Sequence, residues 1–301
     1  MIFIYYLARG LIAFIQSLPL PLVARIGRLG GAVAYHLDGR HRRVALDNLR
    51  MCFGGEMSEK EITALAKENF RRLGENYCCG IKTAAMSPEQ LRPYVVFDRP
   101  EQIQPPRRMV MAIGHFGNFE LYGRFQNFSS GYQCATTYRA LKQPELNRLL
   151  LALRERSGCL FFERRTEGPL LRAAMSQPNL LLGLLADQSA RGLRAPFFGH
   201  DCDTGLAPAI FALRYHCDLY TSFCFRTASA RWRLELGDKI DTHDNETGAP
   251  RSSADIMREV NRSFERAIRR DPANWFWVHR RWKVQNGAPK AQESEKIEEH
   301  G

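Results

Sequence analysis

Between Arg108 and Gln188 the sequence alternates short apolar runs with amphipathic blocks, and this alternation restricts the fold more than any other feature. Residues 109–113, Met-Val-Met-Ala-Ile, form an apolar run long enough for a buried strand. Residues 133–138 and 159–162 read as further strands, and residues 179–186 as a continuous apolar one. Between them, residues 144–157 read as a helix with Leu146, Leu149, Leu150 and Leu153 inward, and residues 168–176 as a second helix. Such alternation implies an α/β fold, a mostly parallel central sheet flanked by helices. In a sheet of this kind the carboxyl ends of parallel strands share an edge, and ligands bind there. The expected strands end in His115, Arg139, Arg164 and Asp187. Four polar groups of functional type at four strand ends mark that edge as the candidate site.

The centre of the pattern is Arg108-Met-Val-Met-Ala-Ile-Gly-His-Phe-Gly-Asn-Phe-Glu120. The apolar run stops at Gly114, His115 follows at once, and Glu120 comes five positions later. On one helix these two side chains would point about 140° apart. They meet only if His115 occupies the turn before a helix and Glu120 its first turns. Gly114 and Gly117 suit that sharp, closely approached backbone. The expectation is an imidazole at a strand end, held by the Glu120 carboxylate, with helix N–H groups nearby.

Residues 2–24 are rich in Ile, Phe, Tyr and Leu, but Arg9, Gln16, Pro19 and Pro21 interrupt them. That weakens a transmembrane reading, which wants about 20 predominantly apolar residues. A signal peptide fits poorly too, since no basic region precedes the stretch and no clear cleavage site follows. Arg25, Arg28, Arg40, Arg42 and Arg43 come next. An apolar segment with a basic flank suggests an N-terminal helical membrane-associating segment, residues 1–45, with the bulk of the chain on the cytoplasmic side. Residues 46–284 would form the catalytic domain, and residues 285–301 a polar, disordered tail. Within the domain, Ser58 and Glu61 form a capping-box pattern before the stripe Ile62, Leu65, Ala66, Phe70, Leu73 and Tyr77. After Asp187 the reading is a loop from Gly199 to Thr204, a helix over 207–216, strands over 219–226 and 231–236, and a helix over 252–270. The tryptophans of residues 274–283 read as core.

A net charge of +11 points to anionic partners. Nucleic acid is disfavoured, because no helix-turn-helix, zinc-finger or RRM pattern occurs and the basic residues cluster beside apolar segments. A membrane surface or a phosphorylated or acidic carrier fits better. The eight cysteines form no C-x-x-C pair and sit mostly in apolar segments, as reduced thiols do. His200 and Cys202 have poor spacing for zinc, so no metal is expected.

The blocks Arg43-Val-Ala-Leu-Asp-Asn-Leu49, Gly114-His-Phe-Gly-Asn-Phe-Glu120, Tyr138-Arg139, Ala186-Asp-Gln188, Pro196-Phe-Phe-Gly199 and Trp277-Val-His-Arg-Arg-Trp-Lys283 stand in one order over nearly the whole chain. In these the sequence resembles the lipid A biosynthesis (lauroyl/myristoyl) acyltransferases, within the glycerolipid and lysophospholipid acyltransferases that share an H-x4-D/E motif. Two departures occur. Ser189 follows Gln188 where the family often has an acidic residue or glycine, and Arg191-Gly-Leu-Arg is less apolar than the family's usual stretch.

The resemblance implies transfer of a fatty acyl group from an acyl carrier protein or coenzyme A thioester to a hydroxyl of a glycolipid, a lipid A precursor foremost. It also implies a place at the inner membrane, on its cytoplasmic face. Another acceptor, such as a phosphoglycolipid, an aminolipid or a polyene-type lipid, is the first alternative; a basic nucleic-acid-binding protein or a catalytically silent membrane scaffold of the same fold comes after it. No cofactor beyond the acyl donor is expected. His115 would act as general base, its unperturbed pKa lying near neutrality, and Glu120 would fix its tautomer. Arg139 and Arg164 suit phosphates of acceptor or carrier. Asn118 and Gln188 are further substrate-binding candidates. Asp187 is expected to orient an arginine or the sheet edge rather than take part in the chemistry.

Overall fold

The computed structural model describes residues 2–98, 107–128 and 131–282. The expected polar tail lies outside them. Four helices come first: α1 (Ile2–Ser17), α2 (Leu20–Leu37), α3 (Gly39–Phe53) and α4 (Glu59–Thr83). Extended backbone at Pro19 separates α1 from α2. Ser58 and Glu61 close the expected capping box on α4. Helices α2 and α4 touch backbone to backbone. A Cβ on Gly31 would lie 2.1 Å from the Phe70 carbonyl oxygen, and one on Gly74 2.1 Å from that of Gly27. Only glycines permit this crossing.

The contact buries Glu75, which is 0% exposed. Its carboxylate accepts from the Arg226 Nε at 2.9 Å, the Ala230 amide at 2.9 Å and an Arg28 N–H at 3.3 Å. One buried anion therefore ties the N-terminal helices to the sheet. The outer faces of α1 and α2 are not covered: Phe3, Ile4, Leu7, Leu11, Phe14 and Leu29 are among their exposed apolar side chains. No described helix is long and apolar enough to cross a membrane.

The remaining elements are α5 (Pro88–Leu91), β1 (Val95–Asp98), β2 (Met109–Ile113), a 3-10 helix (Phe119–Asn127), β3 (Gln133–Tyr138), α6 (Pro144–Glu155), β4 (Leu160–Glu163), α7 (Gly168–Ala174), β5 (Leu180–Leu185), β6 (Ser189–Phe197), β7 (His200–Thr204), α8 (Ala207–Tyr215), β8 (Asp218–Ala228), β9 (Arg231–Ile240), α9 (Ser253–Arg270) and a short 3-10 turn (Pro272–Asn274). Seven strands form one sheet in the order β1-β9-β8-β2-β5-β3-β4. Every neighbouring pair is parallel except β8 with β9. The expected α/β class with a mostly parallel sheet is what the chain adopts. Both faces of β2 and β5 are covered, which explains their unbroken apolar sequences.

Two readings need correction. The segment after Asp187 is not a loop but a two-stranded antiparallel hairpin, β6 with β7. Its turn places Phe198 and Gly199 at φ of 52° and 73°, the positive angles a tight hairpin requires. Pro196 is tolerated because the pair stands apart from the main sheet. The second concerns α6, which contains no fully buried residue. Its leucines face an unfilled space instead of the core.

The tryptophan segment belongs to the core, with Trp275 and Trp277 2% and 0% exposed. The Asn48 amide donates to the carbonyls of Trp277 and His279, both at 2.8 Å. The Asn69 amide donates to those of Ala273 and Trp275. Helices α3 and α4 thus hold this segment against the sheet edge.

Candidate active site

Strand register builds the site. Ile113 on β2 lies opposite Leu185 on β5, in parallel pairing. The Ala186 amide continues the ladder by donating to the Ile113 carbonyl at 2.9 Å. Two residues beyond each strand's last pair stand His115 and Asp187, so adjacent parallel strands deliver them side by side. The His115 Nδ1 lies 2.8 Å from the Asp187 Oδ1, and the His115 amide donates to Oδ2 at 2.7 Å. The Trp275 indole N–H donates to the same Oδ2 at 2.8 Å. Asp187 is 1% exposed. Burial opposes its ionisation, but the electrostatic attraction of the neighbouring imidazole and the hydrogen bonds from His115 and Trp275 outweigh it and hold the carboxyl below its ordinary range.

A carboxylate on Nδ1 keeps the proton on that nitrogen and leaves the Nε2 lone pair available. The imidazole rests edge-on against Phe119, with ring centroids 5.0 Å apart, and near Phe276 at 5.7 Å. Behind it, Gly117 adopts φ of 62°, and a Cβ there would fall 2.0 Å from the Cys224 carbonyl oxygen. The Gly117 amide donates to the Asn274 carbonyl at 2.9 Å, joining the histidine turn to the tryptophan segment.

Glu120 does not hold the imidazole, which corrects the expectation from the H-x4-E spacing. It lies in the first turn of the 3-10 helix. Its carboxylate takes two hydrogen bonds from Arg154 of α6, from Nε at 3.0 Å and from Nη2 at 2.6 Å. The physical reason is reach: Asp187 already occupies the Nδ1 side from the neighbouring strand. Asp187 correspondingly orients the histidine, not an arginine or the sheet edge. The resulting Glu120–Arg154 pair still faces the same cavity as His115.

That cavity has a volume of about 470 Å³. The α6 stripe of Leu146, Leu149, Leu150 and Leu153 forms one wall, and Ala8 and Ile12 of α1 belong to another. Asn118, also in the lining, is 1% exposed, yet neither polar atom of its side-chain amide has a partner. A contiguous space carries the lining past His115 to the strand ends, where Arg139, Arg164 and Gln188 stand. Among the described residues neither Arg139 nor Arg164 is in an ion pair. The edge thus brings together every candidate, but in two sets. His115 and Asp187 are bonded; Asn118, Glu120, Arg139, Arg164 and Gln188 line the space around them.

Arg154, Trp275 and Phe276 were not foreseen. Arg154 follows the α6 leucine stripe directly, and that adjacency of charge and apolar face is the signal that points to it. Among the described residues no group of three or more His, Cys, Asp or Glu is placed to hold a metal ion. His200 bonds the Met51 carbonyl, while Cys202 is buried with its thiol toward the Ala195 carbonyl.

The bacterial lipid A biosynthesis acyltransferase family matches residues 1–284. The chain is similar to the lipid A biosynthesis palmitoleoyltransferase of Escherichia coli (strain K12) and to the lipid A biosynthesis acyltransferase of Shigella flexneri. It is 24% identical to each over 275 residues, covering 89% of this chain and 87% of each relative. The strand-end histidine beside an apolar cavity and the match over nearly the whole length agree, and the chain belongs to the bacterial lipid A biosynthesis acyltransferases.

Proposed function

We propose that the protein moves a fatty acyl group from a thioester, on acyl carrier protein or coenzyme A, to a hydroxyl of a lipid A precursor, with His115 as general base. The observation that carries this reading is the Asp187-bonded imidazole at the head of an apolar cavity. An acceptor hydroxyl ionises far above neutral pH, so its proton must leave as the oxygen attacks. The Nε2 lone pair takes that proton, and the hydroxyl oxygen bonds to the thioester carbonyl carbon. The tetrahedral intermediate then expels the thiolate, which recovers the proton from Nε2. Asp187 stabilises the imidazolium between the two steps, as the aspartate of a serine-protease triad does.

The donor chain occupies the space between α6 and α1. Asn118, with its buried amide unpartnered, offers an N–H to the developing oxyanion. Glu120 acts through Arg154, holding a guanidinium at the same opening as a second stabilising charge. Arg139, Arg164 and Gln188 contact the acceptor or carrier. No serine or cysteine takes part, so transfer is direct. The exposed apolar faces of α1 and α2, beside the basic residues of α2 and α3, seat the protein on the inner membrane at its cytoplasmic face.

The test supplies the purified protein with an acyl thioester and a hydroxyl-bearing lipid A precursor. Mass spectrometry should find the acceptor heavier by one acyl group, with one free thiol per ester formed and no acylated protein. Acylated protein accumulating as an intermediate would overturn direct transfer.

A further inference from the structure

The carboxyl edge of the sheet opens on a second cavity, beneath α7 and α8, on the face opposite the α6 cavity. Its volume is about 460 Å³. Phe162, Leu171, Leu184 and Phe211 form an apolar floor, and Leu185 and Ile210 stand 40% and 47% exposed in its wall. It is not isolated from the reaction centre. Thr137, Arg164, Leu185, Gln188 and Ala190 line both this cavity and the space around His115.

The charges on its rim are unbalanced. Arg164, Arg172 and Arg214 line it, and among the described residues none of them is in an ion pair. Two carboxylates share the wall, but both are turned toward backbone. Glu163 accepts from the amides of Arg165 at 2.6 Å, Thr166 at 3.0 Å and Ala140 at 3.4 Å. Glu167 accepts from the Glu163 amide. Uncompensated guanidiniums over an apolar floor complement one kind of ligand, an anionic head with a hydrocarbon tail. Guanidinium forks recognise a phosphate in two-bond geometry, and the floor buries the tail.

We propose that this cavity receives the acceptor lipid, with a phosphate on the Arg164, Arg172 and Arg214 rim and one of the acceptor's existing acyl chains on the floor. The inference rests on the reading that His115 activates an acceptor hydroxyl. It adds that donor and acceptor chains approach the imidazole from opposite faces of the sheet, each in its own cavity. A chain already present on the acceptor is then part of what the enzyme recognises.

The probe is octyl phosphate carrying a diazirine at its chain end, photolysed with the full-length protein and mapped by mass spectrometry of peptides. Labelling is expected on α8, within Ala207–Tyr215, and should saturate. Arg172→Glu, Arg214→Glu and Ile210→Glu, all at exposed positions, should each raise the half-saturating concentration about tenfold or more. The matching octanol diazirine should label α8 far less, and inorganic phosphate should compete only weakly. Labels confined to α1 and α6, or α8 labelling indifferent to the charge reversals, would overturn the proposal. So would equal labelling by the alcohol. Inorganic phosphate competing as well as octyl phosphate would reduce the site to a simple anion patch and also overturn it. The label map needs no turnover, so an inactive protein would count against the His115 reading while the map still decides this one.

Discussion

Asp187→Asn separates the two carboxylates near the histidine. In the wild-type site the Asp187 Oδ2 accepts from two N–H donors, the His115 amide and the Trp275 indole. An asparagine must keep its oxygen there, because an NH2 group would oppose both donors. Its NH2 then faces the His115 Nδ1, which must become an acceptor. The imidazole proton moves to Nε2, and the lone pair required for base catalysis is gone. The same tautomer switch in a serine-protease triad lowers kcat by about 10⁴, and a fall of about 10³–10⁴ is expected here. Stability should fall much less, by about 1–3 kcal/mol, the cost of an imperfectly satisfied buried hydrogen bond. Glu120→Gln leaves the His115–Asp187 contact intact and weakens only the Arg154 pair, so its loss of rate should be the smaller of the two. The assay is thioester-dependent acylation by purified variants. Nitrogen-15 NMR of the histidine ring reports the tautomer directly. An Asp187→Asn enzyme within tenfold of wild type, with Glu120→Gln inactive, would refute the reasoning and restore Glu120 as the imidazole's partner.

Arg139→Ala should weaken use of a phosphate-bearing acceptor or carrier about tenfold to a hundredfold while Tm stays unchanged; unaltered kinetics would remove this arginine from substrate binding. Glu75→Gln, which leaves Arg226 without its buried anion while Arg28 keeps Glu68, should cost about 3–5 kcal/mol in denaturant unfolding, and a cost below about 1 kcal/mol would mean that water enters the site. Replacing exposed Leu7, Leu11 and Phe14 together by Glu should lower partition into anionic vesicles at least about a hundredfold, since each side chain buried in the interface contributes on the order of a kcal/mol or more. Undiminished vesicle binding by that variant would place the membrane contact elsewhere.

The sheet was legible because its central strands, β2 and β5, are buried on both faces and carry unbroken apolar runs. Their polar terminators marked the candidate edge for the same reason. The identity of the histidine's partner was not legible. It depends on strand order, and nothing local says that β5 lies between β2 and β3. Without that order the carboxylate nearest in sequence, Glu120, is the natural choice. With it, the parallel register of Ile113 with Leu185 leads straight to Asp187. The α6 leucines illustrate a different limit. A stripe of Leu146, Leu149, Leu150 and Leu153 has the same spacing whether it packs on protein or lines an open cavity. Only the missing neighbour in three dimensions distinguishes the two. The β6–β7 hairpin escaped because Arg191, Gly192, Arg194 and Pro196 suppress the strand pattern, and an isolated pair tolerates them where a central strand would not.

The central claim is that the His115 imidazole removes the acceptor's proton. Its most direct measurement is the rate of acyl transfer by purified His115→Ala mixed with lipid vesicles, with folding checked by circular dichroism. General-base catalysis contributes roughly 10²–10⁴-fold, and the other imidazole lining the contiguous space, His279, already accepts from the Ser189 amide through Nε2 at 3.2 Å. Transfer should therefore fall to background while fold and vesicle binding are retained. Full transfer by the folded variant would contradict the mechanism.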